Sequence, residues 1–231
     1  MARDFAAGPW PDNADDADAA PMPLRRIEEF INTRRRDGDD IGTPQQLADW
    51  LSARELIPSG ATVSAAQRDR AESVREGLRA LIAENNAEPV SSPRPDGLNP
   101  AARAELAELT RDLALVLDVT AHPPRLVPRT RTPADAALAT LLAVVADAVA
   151  AGTWTRLKAC REPSCRWAFY DHSRNRRRTW CSMDLCGNRA KARASHHRKT
   201  TIQRANDTTP AIERGDDPSL QRGAGTPRMR R

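Results

Sequence analysis

The chain has 231 residues, of which 39% are hydrophobic, and its 36 Lys+Arg against 31 Asp+Glu give a formal net charge of +5. This length and composition fit one medium-sized domain with a small second module, and no run of about 18 apolar residues is present to span a membrane. The amino terminus also lacks the apolar segment of a secretory signal. We therefore expect a cytoplasmic protein with no membrane partner.

The charge is distributed unevenly along the chain. Residues 1–153 hold 17 Lys+Arg against 24 Asp+Glu, a net charge of −7, whereas residues 154–200 hold 13 against 3, a net charge of +10. An acidic body followed by a strongly basic module predicts that a polyanion binds to the module. The alternative is a charged face that serves only solubility.

The first elements in chain order are an arm and three helices. Residues 1–21 are rich in Ala, Asp and Pro and predict a disordered acidic arm. Apolar residues at helical spacing then predict a helix over 24–33. Two capping boxes, Thr43-Pro44-Gln45-Gln46 and Ser64-Ala65-Ala66-Gln67, predict the starts of the second and third helices.

The rest of the body is predicted to contain two more helices and a hairpin. Residues 87–98 are predicted to form a loop, after which Asn99-Pro100 is predicted to cap a helix. Two apolar runs around His122-Pro123-Pro124 predict a short hairpin, and Thr132-Pro133 predicts the start of a helix that Gly152 ends. Residues 22–153 are thus predicted to be a mostly helical domain with one small β element.

All four cysteines lie within 27 residues, as Cys160-x4-Cys165-x15-Cys181-x4-Cys186. Two pairs at equal spacing, with a gap long enough for a turn, allow four thiolates to converge on one tetrahedral Zn²⁺. Two disulfides are the alternative, but they need an oxidising compartment. His172, His196 and His197 are candidate ligands only if a cysteine fails to bind.

The cysteine module also contains five of the nine aromatic residues of the chain, Trp154, Trp167, Phe169, Tyr170 and Trp180. A small metal domain buries little apolar volume, so we expect most of these rings to pack in its core. Tyr170 has the alternative of facing outward to stack on a base.

The order of residues in the module predicts a hairpin and a helix. Alternation over Arg166–Phe169 predicts a strand, and turn-forming residues at 171–175 predict a hairpin tipped with arginines. A helix is then predicted from the second cysteine pair to Lys199, with Ser182 or Asp184 at its N-cap. The predicted nucleic-acid-binding residues are Arg174, Arg176, Arg177, Arg178, Asn188, Arg189, Lys191 and Arg193. Asn188 and Arg189 are candidates either for reading base edges or for bracing the metal knuckles.

Several of these residues carry a family resemblance. Phe169-Tyr170-Asp171, Trp180-Cys181-Ser182-Met183 and Cys186-Gly187-Asn188-Arg189 resemble the CGNR zinc-finger family. In that family the finger follows an N-terminal domain called ABATE, and Phe30-Ile31-Asn32-Thr33 is similar to the start of that domain. The proteins are described as putative stress-induced transcription regulators.

The resemblance and the residues together imply a fold and an organisation. The fold class is mainly α with a small β-hairpin (α+β): a helical N-terminal domain followed by a treble-clef-like zinc finger made of a hairpin and a helix. The predicted domains are an arm at 1–21, an ABATE-like domain at 22–153, a finger at 154–200 and a disordered tail at 201–231. Because the body has its own apolar faces, we expect Cys181→Ser to unfold the finger and spare the body.

The predicted function is a DNA-binding transcription regulator that holds Zn²⁺ and acts at the nucleoid. RNA or ribosome binding is the alternative, since arginines and aromatic rings also serve single strands. We predict no enzymatic activity, because zinc held by four thiolates has no open position for water and the chain has no phosphate-binding loop. The body is predicted to sense an effector or to form a homodimer. An apolar pocket near Asn32, Thr33 and Trp50 is a candidate effector site, and the favoured alternative for Trp50 is a structural role in the core.

Overall fold

The computed structural model describes residues 19–35, 37–86, 101–130 and 132–207. Its helices are α1 (Arg25–Ile31), α2 (Pro44–Ser52), α3 (Ala65–Glu84), α4 (Ala102–Asp112), α5 (Pro133–Ala150) and α6 (Asn188–Asp207). Two antiparallel hairpins pair β1 (Leu115–Asp118) with β2 (Arg125–Pro128), and β3 (Leu157–Ala159) with β4 (Ala168–Tyr170). The predicted class, mainly α with small β elements, is confirmed.

The chain divides into two compact units, the first ending at Ala190 and the second beginning at Lys191. The first unit contains α1 to α5, both hairpins and the four cysteines. In the second unit the structure describes the part of α6 from Lys191 onward. The segment after Lys199 continues as helix to Asp207, further than the sequence predicted, because neither Gly nor Pro interrupts residues 200–207.

Polar caps start three of the helices where the sequence predicted them. The Thr43 hydroxyl accepts a hydrogen bond from the Gln46 N–H, and the Gln46 side chain accepts one from the Thr43 N–H. Ser64 and Gln67 form the same reciprocal pair before α3, and Thr132 caps α5. The start of α4 differs from the prediction: Asn99 lies outside the described residues, and Ala101 is at the N-cap without a side-chain bond.

Helix α3 packs against most of the body and lies especially close to α4. A Cβ atom added at Gly77 would lie 2.5 Å from the Leu106 Cβ, so glycine is what allows this approach. Helix α5 is long and apolar enough to cross a membrane by composition alone, but half of it is buried inside the protein. Buried leucines such as Leu138 and Leu141 make it a core helix instead.

A buried ionic network fixes the loop after α1 to α3. The Arg75 guanidinium is fully buried and donates to both carboxylate oxygens of Asp39, at 2.7 and 2.9 Å, and to the Thr33 hydroxyl. Trp50 is also buried and packs on the Phe30 ring, with the ring centroids 5.5 Å apart. Thr33 and Trp50, two residues of the predicted effector pocket, therefore have structural contacts.

The hairpin of β3 and β4 belongs to the same buried core as the helices of the body. Leu157, Ala159, Ala168 and Tyr170 all lie in the hydrophobic cluster that contains the buried residues of α1, α3 and α5. The domain boundary at residues 153 and 154 remains a prediction from sequence, and the packed core continues across it.

Side-chain amides of the body also bind the main chain of this hairpin. Asn32 accepts from the Ala168 N–H at 2.8 Å and donates to the Ala168 carbonyl at 3.0 Å. On the other strand, Asn86 donates to the carbonyls of Ala159 and Thr179, and Asn85 donates to that of Leu157. The outer edges of both strands are thus covered, because these groups point away from the ladder between β3 and β4.

The predicted disordered arm and tail lie outside the described residues except at their inner ends. Ala20, within the predicted arm, is buried at 3% exposure, and its N–H donates to a Glu28 carboxylate oxygen at 2.7 Å. Residues 201–207, at the start of the predicted tail, are helical.

Candidate metal centre and arginine loop

The four cysteines converge in the first unit. Their sulfur atoms all lie within 4.8 Å of one another, and Cys160, Cys181 and Cys186 are buried while Cys165 is half-buried. The sulfur of Cys181 is 3.6 Å from that of Cys165 and 3.7 Å from that of Cys186. A tetrahedron of sulfurs around a metal at about 2.3 Å has edges of about 3.8 Å, so the donor set fits one Zn²⁺ ion.

These sulfur distances also decide against the disulfide alternative. All four cysteines are free thiols, whereas a disulfide needs a sulfur separation of about 2.0 Å. Zn²⁺ binds the thiolate form of cysteine, so metal binding at this cluster would release the protons of the four thiols.

The first pair of cysteines lies in a tight turn between β3 and β4. The N–H groups of Cys165 and Arg166 both donate to the Glu162 carbonyl, and Arg166 has a left-handed backbone with a φ of 57°. The Cys160 N–H donates to the Trp167 carbonyl at 2.8 Å, which continues the ladder up to the metal centre. The hairpin therefore presents this cysteine pair at its tip.

The second pair lies at the start of α6. A single π-helical turn over Met183–Gly187 precedes the helix, and the Ser182 hydroxyl caps it by accepting from the Leu185 N–H. The prediction of a cap at Ser182 is confirmed. This turn brings Cys186 back beside Cys181, because the N–H groups of Cys186 and Gly187, its last two residues, both donate to the Ser182 carbonyl.

Aromatic rings surround the sulfur atoms as the sequence predicted. Trp167 and Phe169 are buried with the cysteines in one cluster, and Trp180 packs against it. Tyr170 is also buried, at 6% exposure, and lies on the face of the hairpin that packs against the body. The alternative of an outward Tyr170 that stacks on a base is therefore wrong.

The predicted hairpin tipped with arginines is also wrong. The strand after the first cysteine pair does form, as β4, but its partner is β3, which precedes the pair. The residues after β4 form an irregular segment, which we call the arginine loop, Ser173–Arg178. Closing a short turn costs less conformational entropy than closing a long loop, so the segment before Cys160 pairs with the segment after Cys165 and not with a more distant one.

A buried ion pair holds the arginine loop in place. Lys158 and Asp171 are 3% and 0% exposed, and the Lys158 ammonium lies 2.7 Å from an Asp171 carboxylate oxygen. Asp171 accepts from the N–H groups of Ser173 and Arg178, while Lys158 donates to the carbonyls of Arg176 and Arg178. Burial alone would raise the pKa of the Asp171 carboxyl, but hydrogen bonds from Lys158 and Ser173 hold it below its usual range.

The four predicted arginines of this loop separate into two groups. The side chains of Arg174, Arg176 and Arg177 are exposed. Arg178 is half-buried; its guanidinium donates to the carbonyls of Trp180 and Cys181 and lies 5.2 Å from the centroid of the Phe169 ring. Arg178 therefore braces the segment that carries the second cysteine pair, and the other three arginines face solvent.

The remaining predicted contacts lie along α6. Asn188 is exposed and donates to the Asp184 carbonyl at 3.0 Å, and Arg189 is half-buried; both belong to the first unit. The bond to Asp184 favours the bracing alternative for Asn188. Lys191 and Arg193 are exposed on α6 in the second unit.

The sequence did not predict three residues that hold the finger in place, which are Lys158, Asp171 and Asn32. Lys158 is a charged residue inside a strand, and Asp171 follows two aromatic residues, patterns that indicate a buried pair only when their spatial proximity is known. Asn32 contributes through a bond to Ala168, which lies 136 positions away in sequence. His172 is outside the sulfur cluster, and its ring packs edge-on against Tyr170 with the centroids 4.7 Å apart.

Four cysteines that converge on one site between a hairpin and a helix are typical of zinc-finger proteins. The family described as "Putative stress-induced transcription regulator", ABATE, matches residues 24–153, and the family described as CGNR zinc finger matches residues 156–199. The chain belongs to the ABATE family and has a C-terminal CGNR zinc finger. No curated protein sequence matches it. Both families are regulatory or zinc-binding and not enzymatic.

Proposed function

We propose that this protein is a transcription regulator that binds DNA through a zinc-stabilised finger. The proposed zinc ligands are Cys160, Cys165, Cys181 and Cys186. The fit of the four sulfurs to a tetrahedral site supports the metal, and the family supports a regulatory role. We expect the protein in the cytoplasm, at the nucleoid, because a DNA-binding regulator acts there.

The observation that carries the DNA-binding proposal is the arginine loop. Three exposed guanidinium groups lie on a loop whose main chain is fixed by a buried ion pair and whose last residue, Arg178, donates to the Cys181 carbonyl. Arginines held in place lose little conformational freedom when they bind phosphates, and each phosphate contact releases condensed counterions. We propose that Arg174, Arg176 and Arg177 contact the phosphate backbone, that Arg178 contributes charge, and that Arg189 reaches toward the bases.

We also propose that Lys191 and Arg193, on α6 in the second unit, contact phosphates, because their side chains are exposed. A role of the body as a sensor or as a dimerisation domain stays a prediction.

The test compares two double variants that remove the same charge. Arg174→Gln with Arg177→Gln changes the arginine loop, and Arg125→Gln with Arg129→Gln changes exposed arginines at the β1–β2 hairpin of the body. Binding to a labelled duplex is measured by fluorescence polarisation across a salt series. Losing two phosphate contacts should weaken binding to every duplex and reduce the slope of log K against log salt by about 2.

The body variant should bind like the parent protein. Equal effects of the two variants would show that overall charge alone attracts the duplex, and an unchanged loop variant would remove the arginine loop from the interface. Single-stranded RNA of the same length is measured in parallel, and tighter binding to it would favour the RNA alternative. Elemental analysis and X-ray absorption test the metal, with one zinc and four sulfur neighbours at about 2.3 Å expected.

A further inference from the structure

The chain preceding the body is fixed to the edge of the arginine loop. The Ala19 carbonyl lies 3.1 Å from the Nε2 atom of His172, which is the residue directly before the loop. The Ala20 N–H is held by Glu28, and Ala20 is buried. The chain before Ala19 is therefore tethered beside His172, the residue that precedes the arginine loop.

The charge of that preceding segment is opposite to that of the loop. Residues 1–18 contain five aspartates and one arginine, and four of the aspartates fall within Asp12–Asp18, which we call the acidic segment. The arginine loop has four arginines. Within the described residues no carboxylate pairs with Arg174, Arg176 or Arg177, while the nearby Asp171 is already bound to Lys158.

The acidic segment is also long enough to cover the loop. An extended chain spans about 3.3 to 3.6 Å per residue, so the acidic segment reaches about 20 Å from Ala19. The whole arginine loop lies within six residues of His172 along the chain and so falls within that distance. A tethered segment has an effective concentration in the millimolar range, which lets weak ion pairs compete with a ligand in solution.

We propose that the acidic segment binds the arginine loop and competes there with nucleic acid. The aspartate carboxylates occupy the guanidinium groups that otherwise hold phosphates, so the protein regulates its own affinity for a polyanion. This inference rests on the proposed function for its consequence, but the contact between the acidic segment and the arginine loop exists without nucleic acid.

The experiment uses full-length variants with matched charge. In the segment variant Asp12, Asp15, Asp16 and Asp18 are each replaced by Asn. In the control variant four exposed acidic residues elsewhere are replaced by their amides: Asp37→Asn, Glu55→Gln, Asp112→Asn and Asp147→Asn. Both variants gain four units of net charge, so a difference between them reports the position of the charges.

Two measurements follow, one of them without nucleic acid. Ion pairs to the three exposed arginines together shift an equilibrium by about tenfold, so at about 0.1 M salt the segment variant should bind a labelled duplex about tenfold more tightly than the control variant. This difference in duplex affinity between the two variants should decrease at higher salt. Hydrogen–deuterium exchange of the peptide that contains residues 173–178, in the free protein, should become faster in the segment variant and stay unchanged in the control variant.

The outcomes separate this proposal from the proposed function. Equal duplex affinity and equal exchange in the segment and control variants would overturn the docking of the acidic segment, even if the arginine-loop variant still loses DNA binding. If the arginine-loop variant binds duplex as well as the parent, the proposed function fails, and faster exchange in the segment variant alone would still support docking. An equal gain in affinity for both charge variants, with unchanged exchange, would overturn the proposal in favour of a general charge effect.

Discussion

Replacement of Asn32 by Ala is the sharpest test of how the body holds the finger. Asn32 is 7% exposed, and its amide satisfies both the N–H and the carbonyl of Ala168, which is fully buried. The substitution leaves two buried main-chain groups without their bonds, at about 1 to 3 kcal/mol each, so we expect a loss of about 2 to 6 kcal/mol. Urea unfolding followed by tryptophan fluorescence measures this loss.

Two further variants make the test specific. Asn32→Asp keeps the shape of the side chain but sets a carboxylate oxygen against the Ala168 carbonyl, so it should cost at least as much as Asn32→Ala. Gln45→Ala removes an exposed amide from α2 and should change stability by less than about 0.5 kcal/mol. Equal stability of Asn32→Ala and Gln45→Ala would show that the Asn32 bonds to Ala168 do not stabilise the protein.

Three other features of the structure can be tested by substitution. Gly77→Ala should lower the free energy of unfolding in urea by about 1 to 3 kcal/mol, because the added Cβ would clash with Leu106. The control Gly38→Ala, with nothing within 4 Å of the added Cβ, should lower it by less than about 0.5 kcal/mol. Equal losses would contradict the close approach of α3 and α4. Burial raises the pKa of the Glu28 carboxyl from 4.5 to about 7, so the folded protein binds this proton more tightly than the unfolded chain and its stability should fall as pH rises from about 4.5 to 7. Glu28→Gln, which mimics the protonated acid, should then raise stability at pH 8 by up to about 3 kcal/mol and leave it unchanged near pH 4; a gain that does not depend on pH would exclude this titration. Cys181→Ser should lower the zinc content and also the thermal midpoint of the helices in circular dichroism, and an unchanged midpoint would restore the expectation from sequence that the body is spared.

Local features of the fold were predictable because their causes are local. The caps at Thr43, Ser64 and Thr132 join residues three positions apart, and the apolar spacing of α3 is a property of one segment. The four cysteines were predictable as one site because the chemistry of thiolates restricts what their spacing can mean.

The partner of β4 and the support of the arginine loop were not predictable in the same way. The alternation at Arg166–Phe169 indicated a strand but could not indicate its neighbour, since β3 has only three residues. The choice follows from the metal knuckle, which brings the chain on either side of it together. The Lys158–Asp171 pair depends on that pairing, because β3 and β4 must meet before the two side chains can.

The asparagine contacts have a consequence for how such proteins diverge. Asn32, Asn85 and Asn86 bind carbonyl and N–H groups of the finger, which every amino acid except proline supplies in full. Substitutions at the solvent-facing positions of the finger leave these bonds intact. The body therefore holds a finger of this backbone whichever side chains the finger presents to solvent, so substitutions at those positions can accumulate without a compensating change in the body.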